Sequence, residues 1–294
     1  MKECYLYKKS GDYIECQTCS HHCRIAPFKR GICGVRENQK GKLYLLVYGR
    51  VIAENIDPIE KKPLYHFMPG TYSLSIATVG CNLFCRWCQN YDISQCTKSD
   101  VTRDEITNKM GVEMQPEQIV TDAKKYNCPS ISYTYTEPTI FLEYALDTMK
   151  LTKKAELKNV WVSNGYMTKE TLDLIAPYLD AINVDLKGFN KENYLKYSGA
   201  KLQPVLDNIR EIYKRKIHLE VTTLVIPGVN DDKKQLSDIT HFLSHISPNI
   251  PWHISRFFPA YKMMDTLPTP METLKVAEKI GKRAGLKYIH IGNV

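Results

Sequence analysis

The sequence predicts an α/β protein: a partial (β/α)6-type TIM barrel over residues 71–294, preceded by a small cysteine-rich metal-binding module and connector over residues 1–70. Three observations carry that expectation. Seven short strand-like runs appear from Tyr72 onward, the first within "TYSLSIATVG", and most are trailed by a stretch of helical period. Such alternation marks βα units and a parallel sheet with right-handed crossovers. No Gly-x-Gly-x-x-Gly follows the first run, as an open dinucleotide-binding sheet would require. The first seventy residues lack useful helical periodicity and crowd four cysteines between Cys16 and Cys33.

In chain order, the module carries the strand-like "KLYLLVYGRV" and then the turn-rich connector "DPIEKKPLYHFMPG". The barrel runs are "YSLSIATVG" (72–80), "SISYTYT" (130–136), "NVWVS" (159–163), "AINVDL" (181–186), "HLEVTTLVI" (218–226), "WHISRF" (252–257) and "KYIHIG" (287–292). Helices are expected over 115–127, with Pro116 in the first turn, and over 139–157, 168–179, 202–216, 231–246 and 270–284. In a barrel of this kind chemistry gathers at the C-terminal ends of the strands.

Bulk properties narrow the class. The chain has 294 residues with 43% apolar and 24% charged side chains, an ordinary globular composition. No apolar run approaches the ~20 residues of a membrane span, and the N-terminus lacks the apolar centre of a secretory signal. A cytoplasmic protein with no membrane partner is the expectation. Reduced thiols follow from that compartment, so the two clusters that hold seven of the ten cysteines point to metal rather than disulfides. A net charge of +8 leaves nucleic acid a minority option, because no RNA-binding signature accompanies it.

"GCNLFCRWCQN" places Cys81, Cys85 and Cys88 directly after the first barrel strand. Thiolates at this spacing select zinc or iron–sulfur. Fe–S clusters usually take four cysteines, so three leave one metal corner open to a ligand. "CNLFCRWC", with Trp87 before the last cysteine, resembles the defining motif of the radical S-adenosylmethionine (SAM) superfamily. The resemblance implies a [4Fe-4S] cluster on Cys81, Cys85 and Cys88, whose bare iron chelates SAM. It implies reductive cleavage of SAM to a 5′-deoxyadenosyl radical that abstracts hydrogen.

The other strand ends are read beside that motif. Glu137 of "TYTEPT" suits the ammonium of SAM, although Tyr135-Thr136 stand where relatives often carry Gly-Gly. Ser163 and Asn164 offer hydroxyl and amide groups, which the resemblance assigns to SAM. Asp185 and Lys187, two apart on one face, resemble the Asp-x-Lys of pyruvate formate-lyase activating enzyme and are the expected catalytic pair. His253 is expected to orient SAM or move a proton, with Arg256 nearby to hold a carboxylate. Cys16, Cys19, Cys23 and Cys33 form a second metal site, zinc or a second Fe–S cluster.

The run of motifs from "DPIEKKPLYHFMPG" to "HISRFFPAYKM" resembles the AmmeMemoRadiSam system radical SAM enzymes, often described as pyruvate formate-lyase activating enzyme-like. That implies Memo-like and AMMECR-like partners, a protein or peptide substrate, and a reductant such as flavodoxin or ferredoxin. Two alternatives stay open at this point: a glycyl-radical enzyme activase, and a non-enzymatic zinc or Fe–S protein.

Overall fold

An eight-stranded sheet organises the molecule, and a computed structural model describes all residues from 1 to 294. In chain order its strands are β1 (Ala53–Pro58), β2 (Tyr72–Ala77), β3 (Ser130–Tyr133), β4 (Lys158–Ser163), β5 (Ala181–Asp185), β6 (His218–Val225), β7 (Trp252–Arg256) and β8 (Ile289–Gly292). Spatial order equals sequence order, and every pair from β2 to β8 is parallel. The seven expected strands are all present. β1 pairs antiparallel with β2, so residues just before the expected connector, with its first two, supply an edge strand of the barrel sheet across the expected boundary at residue 70.

The connecting helices are α1 (Pro116–Lys125), α2 (Leu142–Lys154), α3 (Lys169–Ile175), α4 (Lys191–Ser198), α5 (Leu202–Lys214), α6 (Lys233–Ile246) and α7 (Met271–Arg283). Six match the expected helices. The seventh, α4, is absent from the sequence reading because only Tyr194 and Ser198 of its eight residues are buried. Its N-cap is Asn190, whose side chain accepts from the Asn193 N–H, and Gly199 closes it at φ +75°.

Strand register separates two faces. Leu74, Ile76, Ile131, Trp161, Ile182, Val184, Val221 and Ile254 alternate onto the helix-facing side and belong to one large apolar core. The opposite, concave face carries Ser73, Ser75, Ser132, Asn183, Asp185, Glu220, Thr222 and His253. The lumen is therefore largely polar, unlike the branched apolar filling usual in a closed TIM barrel.

Residues 59–67 fold beneath this lumen. Ile59 and Leu64 pack on Val160 and Ala181, the Asn183 amide donates to the Pro63 carbonyl at 2.7 Å, and the backbone N–H groups of Tyr65 and His66 donate to Glu220. The Tyr135 hydroxyl donates to Asp57, whose carboxylate also accepts from buried Lys62 of this segment at 2.6 Å. Tyr135 adopts φ +61°, a left-handed conformation that costs a non-glycine residue about 1–3 kcal/mol.

Two three-stranded antiparallel sheets make up the start of the chain. Lys2–Glu3, Lys42–Leu45 and Arg36–Gln39 form one, and Tyr7–Ser10, Tyr13–Cys16 and Arg24–Ile25 the other. Arg36 docks this region on α2 through a buried, two-pronged pair with Glu143 at 2.6 and 3.1 Å. Removing one partner of such a pair costs about 3–5 kcal/mol.

Candidate functional site

The Cys81–Cys88 loop leaves the C-terminal end of β2 and is clamped from two sides. The carbonyls of Tyr197 and Ser198, at the end of α4, accept from the N–H groups of Arg86 and Phe84 at 3.0 and 2.8 Å. Gly199 lies so close beneath Phe84 that a Cβ there would stand 2.9 Å from its ring. Trp87 is buried, with its ring 6.5 Å from that of Tyr197. On the other side, Lys98 donates to the Leu83 carbonyl and sits 3.7 Å above the Phe84 ring. Burial pushes the Cys85 thiol up to about 11, against the pull of the Lys187 and Lys98 ammonium groups. Burial raises the Cys81 thiol further still.

Asp185 and Lys187 are brought to this loop, paired at 3.1 Å at the end of β5. Burial disfavours the Lys187 ammonium, but Asp185 and the neighbouring Cys85 outweigh it and hold the cation above its usual range. Tyr194 joins them from α4. Its hydroxyl is buried beside the Lys187 backbone N–H, in the field of Lys187, Cys85 and Asp185, and finds no acceptor for its own proton. No motif announced Tyr194; only recognition of α4 would have placed it.

Glu137, Ser163 and Asn164 also meet, in a bracket across the ends of β3 and β4. Glu137 Oε1 accepts from Thr139 N, Thr139 Oγ1 and Ser163 Oγ at 3.0, 2.6 and 2.8 Å, and Oε2 accepts from Asn164 N at 2.8 Å. Burial raises its carboxyl pKa, and these four donors oppose the rise. One acceptor position on Oε2 is left open among the four or so a carboxylate offers. The Asn164 amide donates to Asn82 Oδ1 at 2.8 Å, which ties the bracket to the residue after Cys81. Asn82 Nδ2 is then buried with no partner, a donor aimed at nothing the chain supplies.

His253 does not reach this mouth, contrary to the sequence expectation. It is the second residue of β7, and a parallel strand begins at the foot of the barrel. There its Nε2 bonds Glu220 at 2.6 Å and its ring stacks on His290. Glu220 also takes His218, Tyr65 N and His66 N, which hold its carboxyl down near 2 despite burial. Arg256 is occupied by the Thr269 carbonyl at 2.8 Å.

Cys16, Cys19, Cys23 and Cys33 line one small cavity of about 10 Å³, with His21, Arg36 and Asn82 also on its wall. No group of three or more His, Cys, Asp or Glu side chains anywhere in the chain is set to hold a single metal ion. The three-cysteine loop nevertheless fits a cluster with one open corner: soft thiols, flanking cations, and two orphaned buried donors, Asn82 Nδ2 and the Tyr194 hydroxyl, beside it.

Residues 75–238 match the Radical SAM superfamily family model. An uncharacterized protein of Methanocaldococcus jannaschii is 45% identical over the whole of this chain and 86% of its own length. A putative glycyl-radical enzyme activating enzyme of the same organism is 28% identical over 63% of this chain and 67% of that one. Pyruvate formate-lyase-activating enzyme of Staphylococcus epidermidis is 22% identical over 58% and 68%. Among solved structures, a radical SAM methyltransferase from Sphaerobacter thermophilus superposes with TM-score 0.56 at 14% identity, over 78% of this chain and 68% of that one. At that identity the likeness concerns the fold. No helix is long and apolar enough to cross a membrane.

Proposed function

Because the chain belongs to the radical SAM superfamily and is an enzyme of that class, we propose that Cys81, Cys85 and Cys88 hold a [4Fe-4S] cluster that binds SAM at the mouth of the barrel. When bound, that cluster supplies the electron that cleaves SAM to a 5′-deoxyadenosyl radical, which takes hydrogen from a protein or peptide substrate. The observation that carries the reading is the convergence of the three-cysteine loop, the Asp185–Lys187 pair and the orphaned donors of Asn82 and Tyr194 at one end of the strands.

The chain's own residues have separable tasks. Trp87, wedged against Tyr197, fixes the loop that bears Cys85 and Cys88. Glu137, Ser163 and Asn164 hold the ends of β3 and β4 together, and the open position on Glu137 would take the ammonium of SAM. Asn82 Nδ2 would donate to its carboxylate. Lys187, held charged by Asp185, balances the negative charge of the thiolate cluster, and Asp185, 36% exposed at its side chain, is open to the substrate.

Anaerobic reconstitution followed by dithionite should yield 5′-deoxyadenosine from SAM. A fully iron-loaded protein that leaves SAM intact would refute the reading. The motif run from residue 57 onward supports Memo-like and AMMECR-like proteins as partners, with flavodoxin or ferredoxin as reductant; adding both partners should accelerate SAM consumption. A second reading, activation of a glycyl-radical enzyme, is favoured by the similarity to activating enzymes. It requires the glycyl-radical doublet in the electron paramagnetic resonance (EPR) spectrum when such an enzyme is the substrate.

A further inference from the structure

We propose that Lys98 sets the reduction potential of the cluster at Cys81, Cys85 and Cys88, as a positioning residue that reaches two of its sulfurs through Leu83, Gln95 and Ser94. The inference rests on the cluster proposed above, and not on what that cluster does to SAM. Lys98 closes a single 3-10 turn, Cys96–Lys98, shortly after the three-cysteine loop. That turn is pinned. Thr97 is buried, its hydroxyl donates to the Cys33 carbonyl at 3.1 Å, and a Cβ on Gly34 would stand 2.5 Å from the Thr97 carbonyl oxygen. From this fixed base the Lys98 ammonium donates to the Leu83 carbonyl and to Gln95 Oε1, the latter at 2.9 Å. Each acceptor leads on to a cysteine sulfur. The Leu83 N–H donates to Cys81 Sγ at 3.4 Å. Gln95 Nε2 donates to Ser94 Oγ at 3.0 Å, and Ser94 Oγ lies 3.2 Å from Cys88 Sγ. With a lone pair taken by Gln95, the Ser94 hydroxyl turns its own proton toward Cys88 once that sulfur is a thiolate.

Charge separates Lys98 from the other cation of the site. Lys187 faces a carboxylate, Asp185, at 3.1 Å. The two acceptors of Lys98 are neutral, and the groups that favour its ammonium against burial are all cysteines: Cys81, Cys33, Cys85 and Cys88. The potential of an iron–sulfur cluster follows its surrounding charge, the hydrogen bonds to its sulfurs and its exposure to solvent. Lys98 acts on the first two. A half-buried cation with no carboxylate partner is screened less than one in open water, and it favours the more negative, reduced state of a cluster beside it. In the reduction one electron passes from a one-electron carrier of the ferredoxin or flavodoxin class to the cluster. The carrier is oxidised, the cluster is reduced, and no bond or proton moves. Lys98 therefore raises the midpoint of this step.

A redox titration followed by EPR tests this on the full chain, reconstituted anaerobically with iron and sulfide. The signal to follow is the one that Cys85→Ala abolishes. Lys98→Met should move its midpoint to a more negative potential, Lys98→Arg should stay near the parent value, and Ser94→Ala should move it the same way by less. A parent-like midpoint in Lys98→Met would overturn the proposal, and so would an equal drop in Lys98→Arg, which would make shape rather than charge the cause. Should Lys98→Met fail to fold, Ser94→Ala decides, and an unchanged midpoint there overturns the path to Cys88. A parent chain without any such signal would remove the cluster and the proposed function together. A shifted midpoint in a chain that leaves SAM intact would count against the proposed function alone, with the role of Lys98 standing.

Discussion

The Glu220 cluster at the foot and the residues beside the three-cysteine loop treat buried polar groups in opposite ways. At the foot, Glu220 receives four donors, from Tyr65, His66, His218 and His253, and both its oxygens are occupied. At the mouth, Asn82 Nδ2 and the Tyr194 hydroxyl are buried donors with no acceptor. An orphaned buried polar group costs about 1–3 kcal/mol, so a chain that satisfies every donor around Glu220 has left these two open at a cost. The contrast sets the Glu220 cluster, which coheres through its own donors, against a loop whose Asn82 donor is left free. It also explains why a conspicuous histidine, His253, belongs to the first and not the second.

Breaking each end in turn should give different symptoms. The largest effect is expected from Cys85→Ala, which removes one of the three proposed cluster ligands. 5′-Deoxyadenosine formation should fall to background while the thermal midpoint moves little, as read by chromatography and circular dichroism. At the foot, Glu220→Gln should do the reverse. The carboxyl of Glu220 is lowered from 4.5 to about 2, so its contribution is complete above pH ~4.5 and is lost as pH falls from there toward 2. That shift corresponds to about 3 kcal/mol. Urea titrations across this window should show a flatter acid limb in Glu220→Gln, with SAM affinity at neutral pH unchanged.

A subtler break falls on the bracket. Glu137→Gln keeps the shape of the side chain but replaces one acceptor oxygen by a donor facing Asn164 N or Ser163 Oγ. Stability should drop by about 1–3 kcal/mol, and SAM affinity, measured by equilibrium dialysis, should weaken with it. Loss of stability with unchanged affinity would make the bracket purely structural. The smallest stability change is expected for Tyr194→Phe, because deleting a buried hydroxyl that has no acceptor for its proton removes a penalty. Its thermal midpoint should hold or rise, whereas turnover should fall severalfold; unchanged turnover would assign the hydroxyl no part in the site.

Much of this arrangement is legible in the sequence because its periodicities are strong. Seven strands and six helices announce themselves by β-rich runs and amphipathic spacing, and Cys81, Cys85 and Cys88 by a spacing few other sites share. What stays hidden depends on distant pairing. The helix α4 buries too few side chains to leave a pattern, so Tyr194 is invisible. Asp57 and residues 59–67 read as a connector because nothing local reveals that Asn183 and Glu220, far along the chain, will bind them. His253 reads as a mouth residue only if its position along the strand is ignored.

Tyr135 has one further consequence. Its ring descends the shaft to the Asp57–Lys62 pair, and residues 59–67 seal the base below, so the barrel is a well rather than a tunnel. Under the proposed function, a radical generated at the rim is shielded from solvent arriving from underneath. Its hydrogen donor then has to come over the open edge, past the loops that follow the strands, so that those loops rather than the barrel wall choose the substrate.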